Sequence, residues 1–283
     1  MPELPEVETV RRGLEPRLAG RTLERVEILD GRLTAPDDPR AIAFELDGER
    51  VESIGRRGKY LLFRFATGRT LVCHLRMTGW FHWLPPASPI VPGTIGNATH
   101  VRATWDLDDG SRLEYADQRR FGTWRLVEPG GLEEHLLRRA GPEPLDGRWT
   151  SADLRAAIHR RRAPVKALLL DQLVVAGVGN IYADEALWEA RVHPLRPGSD
   201  VNAAATRRIH DAIILVLERG IAYQGASIRD YRGVDGDQGS MQERFTVYGR
   251  DGEPCLRCGT PIAKIRVAQR GTHFCPRCTR RPR

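Results

Sequence analysis

The first ten residues, MPELPEVETV, contain a potential terminal amine and two carboxylates that could together do chemistry at a sugar carbon. Bacterial processing removes Met1 when the next residue is small, and Pro2 would then be a free secondary amine that forms an iminium at C1′ directly. A terminal amine with a pKa of about 8 is roughly a tenth unprotonated at pH 7, against less than about a thousandth for lysine. Glu3 and Glu6 are three residues apart, so on a helix they share a face as candidate proton donor and partner for the amine or a water. The spacing therefore indicates a nucleophile beside acid and base groups.

The same ten residues also fit an ordinary helix start. Pro5 suits a first turn, and early glutamates are favoured at the positive end of the helix dipole. For these residues alone the ordinary start is the better interpretation, so the chemistry needs support from the rest of the chain. In either case we expect a helix anchored against a core, ending or bending near Pro16, with a buried stripe formed by Val7, Val10, Leu14 and Leu18.

Two kinds of hydrophobic periodicity follow along the chain. Strand-like segments separated by turn residues lie between about 20 and 127, with a Pro-rich loop at 84–93: RVEIL, KYLLFRF, TLVCHLRM, VRATWDL, RLEYA and TWRLV. Helical spacing follows to about 220, where Gly220 is expected to end the last helix: GLEEHLLRRA, SADLRAAIHRR, VKALLLDQL, IYADEALWEA and AATRRIHDAIILVLERG. A glycine-rich loop and a cysteine-containing module complete the outline.

Four cysteines have the spacing of a zinc site. Cys255 and Cys258 form one C-x2-C pair, Cys275 and Cys278 form the second, and sixteen residues separate the pairs. Four thiolates fill every position of a tetrahedral zinc ion and leave none for water, so we expect one structural Zn²⁺. Disulfides are the alternative, and they are disfavoured in a cytosolic chain. Cys73, in the apolar segment LVCHL, is expected to be a packed core residue.

The distribution of charge favours a polyanionic partner. The chain of 283 residues has a formal charge of +7, and residues 251–283 contain eight Lys/Arg against Asp251 and Glu253. A second basic stretch, RAAIHRRRAPVK, covers 155–166. Between the cysteine pairs, IAKIRVAQRGTHF predicts a hairpin with its tip near Gln269, Arg270 and Gly271. This evidence alone favours a zinc-ribbon nucleic-acid binder that needs no chemistry at the N-terminus.

Bulk composition sets the class of protein. The length allows about two domains, and 41% hydrophobic with 29% charged residues is ordinary for a soluble globular protein. No apolar run approaches the roughly 20 residues of a membrane span, and the N-terminus lacks a secretory pattern. We therefore expect a cytosolic protein.

Several long motifs resemble one family. MPELPEVETVRRGL, GRRGKYLLF, HLRMTG, DQRRFGTW, LLLDQLVVAGVGNIYADEALW and VYGRDGEPCLRCGTPI…AQRGTHFCPRC are similar to formamidopyrimidine-DNA glycosylase, in that family's order and over nearly the whole chain. The resemblance implies an α+β multidomain fold. Its expected parts are a catalytic β-sandwich with an N-terminal helix (1–130), a helix–two-turn–helix DNA-binding domain (131–224), a lesion-capping loop and linker (225–250) and a zinc-finger hairpin (251–283).

The implied activity is base excision repair. Such an enzyme flips an oxidised purine out of duplex DNA, and the unstacking cost is smaller at a damaged pair. Pro2 would expel the base and form a Schiff base, and β- and δ-elimination would then cut the strand. The expected partner is damaged double-stranded DNA, the expected state a monomer, and the expected location the bacterial cytoplasm at the nucleoid.

The resemblance also implies roles for individual residues. Glu3 corresponds to the proton donor at the sugar and Glu6 to a second essential carboxylate. Lys59 in RRGKYLL corresponds to a lysine that assists β-elimination and contacts phosphate. Arg270 corresponds to the hairpin arginine that grips phosphate near the lesion and is linked to δ-elimination.

A second set of residues is implied to contact DNA. Met77, Arg119 and Phe121 match three side chains that fill the hole left by the flipped base, with two apolar wedges and an arginine for the orphaned partner base. Asn180, at the turn into a helix, can hold phosphate. Further candidates are His74, His100, Arg161, Lys166 and Tyr182.

The sequence departs from the family pattern at two places. ATHV at 98–101 keeps only the second histidine of the usual His-x-His-Val, and the loop QGASIRDYRGVDGDQGS differs from the usual Gly-Thr-Thr or Gly-Ser-Thr start. Two alternatives stay open. One is an endonuclease VIII-like enzyme for oxidised pyrimidines, against which Leu4 argues because those enzymes usually begin Pro-Glu-Gly-Pro-Glu. The other is a catalytically silent lesion-binding protein, against which the presence of Pro2, Glu3, Glu6 and Lys59 argues.

Overall fold

The computed structural model describes residues 1–86, 88, 100–228 and 231–279. The chain forms two compact units. The first combines Met1–Leu136 with Gln224–Ser240, and the second combines Leu137–Tyr223 with Met241–Arg283. Among the described residues, no helix is both long enough and apolar enough to span a membrane.

The first unit is built on two antiparallel four-stranded sheets. One has the strand order β1-β6-β7-β5 and the other β2-β3-β4-β8. The strands are β1 (Leu23–Ile28), β2 (Val51–Arg57), β3 (Tyr60–Phe65), β4 (Thr70–His74), β5 (Gly79–Leu84), β6 (Val101–Leu107), β7 (Arg112–Asp117) and β8 (Thr123–Val127).

Aromatic side chains from both sheets form the centre of the core. The ring of Phe63, on β3, lies edge-on to Phe81 of β5 at 5.5 Å and to Trp105 of β6 at 5.0 Å between centroids. Trp124 of β8 packs 5.6 Å from Trp105. Since aromatic residues bury the largest apolar areas, these contacts hold the sheets face to face. The expected β-sandwich is confirmed.

Helix α1 (Leu4–Leu18) packs its predicted stripe into this core. Val7, Leu14 and Leu18 have no exposed surface. Pro16 lies in the last turn, where the loss of one backbone hydrogen bond is tolerated, and the helix ends two residues later. The start of the chain is therefore fixed by packing.

Three elements of the first unit were not expected. Helix α2 (Pro39–Leu46) lies in the region predicted as strands, with Asp38 as its N-cap and Pro39 at its first position. Strands β2 and β5 were also missing from the prediction, and they pair with β3 and β7 respectively. The charged residues and glycine of β2, and the nearly continuous aromatic run of β5, obscured the alternation on which strand prediction depends.

The second unit is mainly helical. Helix α3 (Leu132–Leu137) lies where the first unit ends, and it is followed by α4 (Ser151–Ile158), α5 (Val165–Leu169), α6 (Asn180–Glu189), α7 (Ala203–Ala222), β9 (Ala263–Val267) and β10 (Arg270–Phe274), with short 3₁₀ turns at Gly198–Asp200 and Met241–Arg244. The segment VKALLLDQL was expected to be one helix, but only its first five residues are helical. Gly220 does not end α7 as expected: it is buried inside the helix, where packing outweighs the roughly 1 kcal/mol cost of glycine.

Candidate active site

The start of α1 brings together the three residues predicted to do chemistry. Pro2 is buried, and Glu3 and Glu6 are almost completely buried. The backbone N–H of Glu3 donates to Oε2 of Glu6 at 2.8 Å, which is half of a capping box. The Pro2 nitrogen is in a peptide bond with Met1, whose side chain is half-exposed. Removal of Met1 would therefore leave a secondary amine beside two fixed carboxylates.

The second oxygen of Glu6 holds a different part of the chain. Oε1 accepts the backbone N–H of Ala226 at 2.8 Å, in the segment Gln224–Ser240 of the same unit. Glu6 thus caps its own helix with one oxygen and anchors the glycine-rich segment with the other. A carboxylate held in this way has a fixed orientation.

Lys59 lies in the turn between β2 and β3, after Gly58, whose φ of 54° is left-handed. It is buried and precedes Tyr60, which pairs with His74 across β3 and β4. Burial, assisted by the charges of Arg76 and Lys59, lowers the pKa of His74 to about 3. His74 is consequently neutral at physiological pH, and its Nδ1 accepts the N–H of Arg76 at 2.9 Å.

The predicted wedge residues lie together on the surface of the first unit. Nη1 of Arg119 is 2.9 Å from Sδ of Met77, and its guanidinium carbon lies 4.7 Å from the centre of the Phe121 ring. Met77 is 38% exposed and Phe121 50% exposed, so both side chains are accessible to a partner. The structure therefore presents two large apolar groups around one arginine.

Asp117 orders this surface and was not expected from the sequence. Its Oδ1 accepts the Thr78 hydroxyl at 2.5 Å and the Arg119 N–H at 3.1 Å, and Oδ2 accepts the Gly122 N–H at 2.7 Å. One buried carboxylate thereby joins the loop of Met77 to the turn of Arg119. The local signal was an aspartate two residues before an exposed turn, which is typical of an Asx motif.

The next arginine in the turn has a different partner. Arg120, with a left-handed φ of 58°, donates to both oxygens of Asp30 at 2.5 and 2.7 Å. This hydrogen-bonded guanidinium holds the pKa of the Asp30 carboxyl below its usual value. A Cβ at Gly122 would lie 1.8 Å from Oη of Tyr115, so that position requires glycine. Adjacent arginines therefore diverge, and Arg119 is the one directed to Met77 and Phe121.

In the second unit, Lys166 lies inside the protein. Its Nζ is 2.6 Å from Oδ1 of Asp184, and it donates to the carbonyl of Gly271 at 3.1 Å and to the Thr272 hydroxyl at 2.8 Å. Lys166 and Asp184 are both fully buried. This placement differs from the expected DNA contact, because the side chain has no surface to offer. The contact anchors the hairpin residue that follows Arg270.

Asn180 contributes to the same anchor. It is the first residue of α6, and its Nδ2 donates to the Gly271 carbonyl at 3.0 Å. Tyr182, two residues later, is fully buried and likewise has no surface available for DNA. Arg161 is exposed and paired with Asp171 at 3.1 Å.

The remaining DNA candidates occupy different surroundings. His100 is partly buried, and its carbonyl accepts the Asp117 N–H at 2.9 Å. Ala98, at the first departure from the family pattern, lies outside the described residues. Arg270 is exposed as the first residue of β10. The turn of its hairpin is Ala268–Gln269, both with φ above 40°, so the tip lies slightly before the expected position.

The four cysteines fit one zinc ion. Their sulfurs lie within 4.8 Å of one another. Tetrahedral zinc with bonds of about 2.3 Å needs sulfurs about 3.8 Å apart. The Cys258–Cys275 and Cys255–Cys278 separations are 3.5 and 3.9 Å. Nε1 of Trp188 also donates to the Cys255 sulfur at 3.4 Å, as expected around a metal-bound thiolate. The donor set is closed, so the metal is structural.

Comparisons with known proteins agree with this arrangement. Residues 1–124 match the formamidopyrimidine-DNA glycosylase N-terminal domain, residues 140–232 its H2TH domain, and residues 252–281 the zinc finger found in FPG and IleRS. A formamidopyrimidine-DNA glycosylase of Symbiobacterium thermophilum is 48% identical over 281 residues, 98% of this chain and 89% of the relative. One of Chloroflexus aggregans is 48% identical, with 98% of each chain covered. The chain belongs to the formamidopyrimidine-DNA glycosylase family.

Solved structures of the family have the same fold. A Lactococcus lactis Fpg bound to DNA with an abasic site is 38% identical with a TM-score of 0.89, covering 99% of this chain and 100% of the other. A MutM complex with DNA containing carbocyclic 8-oxo-G has the same identity, coverage and TM-score. The expected family, α+β fold and zinc finger are thus confirmed.

One buried carboxylate of this glycosylase-family chain was not expected from the sequence. Glu185 accepts the backbone N–H groups of Thr246, Val247 and Tyr248 at 2.9–3.1 Å. It therefore fixes the segment that leads into the zinc module. The sequence signal was a glutamate on the buried face of α6, where a charge needs several partners.

Proposed function

We propose that this chain excises oxidised purines, 8-oxoguanine and formamidopyrimidines, from duplex DNA with Pro2 as nucleophile, and then cuts the strand. Family membership makes the chain a DNA glycosylase of base excision repair. The observation that carries the proposed chemistry is the buried start of α1, where Pro2 precedes two nearly inaccessible carboxylates.

In the first step the unprotonated Pro2 nitrogen bonds to C1′ and the glycosidic bond breaks, its electron pair leaving with the base. The Pro2 nitrogen, now an ammonium, passes its N–H proton to the departing base, and the lone pair this restores forms the C1′ iminium as the C1′–O4′ bond opens. Glu3 gives a proton to O4′. Glu6 holds the helix start in place through the Glu3 N–H, at 2.8 Å. Because proline is a secondary amine, the iminium keeps its positive charge without losing a proton.

The iminium then acts as an electron sink for strand cleavage. Loss of a C2′ proton expels the 3′ phosphate by β-elimination, and a second elimination expels the 5′ phosphate. We assign Lys59 to the first elimination and Arg270 to phosphate binding and the second. Support comes from the burial of Lys59 beside a neutral histidine and from the exposure of Arg270.

Met77, Arg119 and Phe121 are assigned to the vacated space in the duplex. Their exposure and their mutual contacts support insertion as a unit, with Arg119 hydrogen-bonding the orphaned base. Base unstacking costs a few kcal/mol, and the buried apolar surface of the two wedges offsets part of it.

His74, His100, Arg161 and Asn180 are proposed to contact the DNA backbone. For Lys166 and Tyr182 burial favours an internal role: they hold the second unit together. The partner is double-stranded damaged DNA, bound by a monomer in the bacterial cytoplasm at the nucleoid. Binding that depends on phosphate contacts should weaken steeply with salt.

Side-by-side cleavage of two duplexes tests the proposal. One duplex contains a single 8-oxoguanine and the other a single thymine glycol. The proposal predicts faster cleavage of the first and a gap with phosphate at both ends. Preferential cleavage of thymine glycol would favour the pyrimidine-specific alternative. Specific binding without any cleavage would favour the silent binding protein.

A further inference from the structure

The segment Gln224–Ser240, described at 224–228 and 231–240, belongs to the first unit. It contains the loop that departs from the family pattern. Its contacts run along α1 from the catalytic end to the last turn. They form two groups: a near end, where Ala226 contacts Glu6, and a far end at residues 234–235.

The near end of the segment contacts Glu6. Ala226 donates its N–H to Glu6 Oε1 at 2.8 Å and pairs with Ser240 in an isolated antiparallel bridge. Gly225 has a φ of 78°, and a Cβ there would lie 2.8 Å from Cγ of Glu6. A Cβ at Gly239 would lie 2.2 Å from the Gly225 carbonyl. The two ends of the segment therefore meet beside Glu6 only because both positions lack a side chain.

The far end enters the core through a gap at a glycine of α1. Val234 is buried and belongs to the cluster formed with α1 and the sheets. A Cβ at Gly13 would lie 2.6 Å from Cγ2 of Val234, closer than real carbon contacts permit. The Val234 carbonyl accepts the N–H of Trp83, on β5, at 3.2 Å. Gly13 is otherwise costly inside a helix, so its place is explained by the room that it gives to Val234.

An ion pair closes the far end. Arg17 donates from Nη2 to both oxygens of Asp235 at 2.8 Å. Its Nη1 donates to the Gly13 carbonyl at 2.7 Å, and its guanidinium lies 5.0 Å from the Trp83 ring. A partly exposed pair contributes little when both side chains are mobile. Here the arginine is already oriented by two further contacts, which reduces the entropy lost on pairing.

We propose that Gly13, Arg17 and Trp83 form a latch that docks the segment Gln224–Ser240 and thereby sets the preference for substrates that still carry a base. The inference rests on the proposed function, together with the lesion-capping role that the family resemblance implies for residues 225–250. Glu6 lies at the catalytic end of α1 and holds the near end of the segment. Docking of residues 234–235 holds the far end against the same helix, so the segment stays beside the nucleophile. An abasic site has no base to cover, so its cleavage does not need the docked segment.

Three variants test the latch. Gly13→Ala introduces the overlap with Val234, whereas Arg17→Gln and Asp235→Asn each remove the ion pair. Arg25→Gln, which disrupts the exposed Arg25–Glu27 pair on β1, is the matched control. The measurements are hydrogen exchange of residues 231–240 in the free protein, and kcat/KM on an 8-oxoguanine duplex and an abasic duplex.

We expect faster exchange in the three variants and not in the control. If the docked fraction falls to about a tenth, kcat/KM on 8-oxoguanine falls about tenfold, through KM, while abasic cleavage is unchanged. The double variant Arg17→Gln/Asp235→Asn should be no worse than either single variant. Adding Val234→Ala to Gly13→Ala should cause no further loss, because the same contact is already broken.

Two results would overturn the latch: unchanged exchange at 231–240, or equal losses on the two duplexes. Either result can be distinguished from a failure of the proposed function. If the wild-type protein cleaved neither duplex, the proposed function would fail, and the exchange measurement would still decide whether Gly13 and Arg17 dock the segment.

Discussion

Replacing Lys166 with methionine should destabilise the second unit without weakening the electrostatic attraction to DNA. Lys166 and Asp184 have no exposed surface, and their charged atoms are 2.6 Å apart. Methionine fills much of the same volume but leaves the Asp184 carboxylate without its countercharge. It also removes the donors to the Gly271 carbonyl and the Thr272 hydroxyl.

The magnitude follows from burial. Removing one partner of a buried ion pair costs about 3–5 kcal/mol, because the remaining charge is uncompensated. A domain has only about 5–15 kcal/mol of stability, so the variant loses a large part of it. Asp184 also accepts the His273 N–H at 2.9 Å, which an asparagine oxygen can still do. The double variant Lys166→Met/Asp184→Asn should therefore recover the part of the loss that comes from the charge.

Urea unfolding of the zinc-loaded proteins, followed by tryptophan fluorescence, measures the cost. With a slope of about 2 kcal/mol/M, the midpoint should fall by about 2 M in the single variant and by less in the double variant. The salt dependence of DNA affinity should keep the wild-type slope. An unchanged midpoint, together with a salt slope smaller by about one, would refute the reasoning and make Lys166 a phosphate contact.

Three further predictions concern the wedge, a buried carboxyl and the metal. Asp117→Asn should reduce excision of 8-oxoguanine more than cleavage of an abasic duplex, because it loosens the turn that carries Arg119. Fluorescence of 2-aminopurine opposite the lesion measures insertion of the wedge residues into the duplex, and an unchanged signal in the variant would contradict this prediction. Burial raises the pKa of Glu114 from 4.5 to about 7, so the folded state binds a proton that the unfolded chain releases, and stability should fall as pH rises from about 4.5 to 7. Glu114→Gln should remove this component of the pH–stability curve; superimposable wild-type and variant curves would contradict the assignment. Cys275→Ser should release zinc, measured by a metal-sensitive dye, and abolish DNA binding; retained affinity would show that the zinc module is not the main grip.

Local pattern was enough where a function or an element is contiguous in the chain. Pro2, Glu3 and Glu6 could be placed at the start of one helix, with Glu3 as its N-cap, because that helix also carries an apolar stripe of clear 3.6 period. The cysteine pairs could be assigned because C-x2-C spacing constrains metal geometry by itself. Helix α2 could not be predicted, because its eight residues bury only Ile42 and Leu46 and show too little periodicity.

Long-range partners account for the rest. Asp117 gains its role from Thr78, 39 residues earlier, and Lys166 is buried by the hairpin at Gly271, 105 residues later. A basic run is ordinarily a solvated face, and nothing within 155–166 marks one lysine as internal. The docking of Val234 on Gly13 likewise depends on tertiary contact that a glycine in a helix does not announce.

Reductive trapping shows directly whether Pro2 is the nucleophile. The mature protein is incubated with a duplex containing one 8-oxoguanine in the presence of borohydride, and the adduct is located by peptide mass spectrometry. Pro5→Ala, which alters the neighbouring proline in the first turn of α1, is the matched control for Pro2→Gly. We expect a covalent adduct on Pro2 in the wild type and in Pro5→Ala, with none at that position in Pro2→Gly. Absence of an adduct in wild-type protein shown by mass to have lost Met1, or an adduct on another residue, would contradict it.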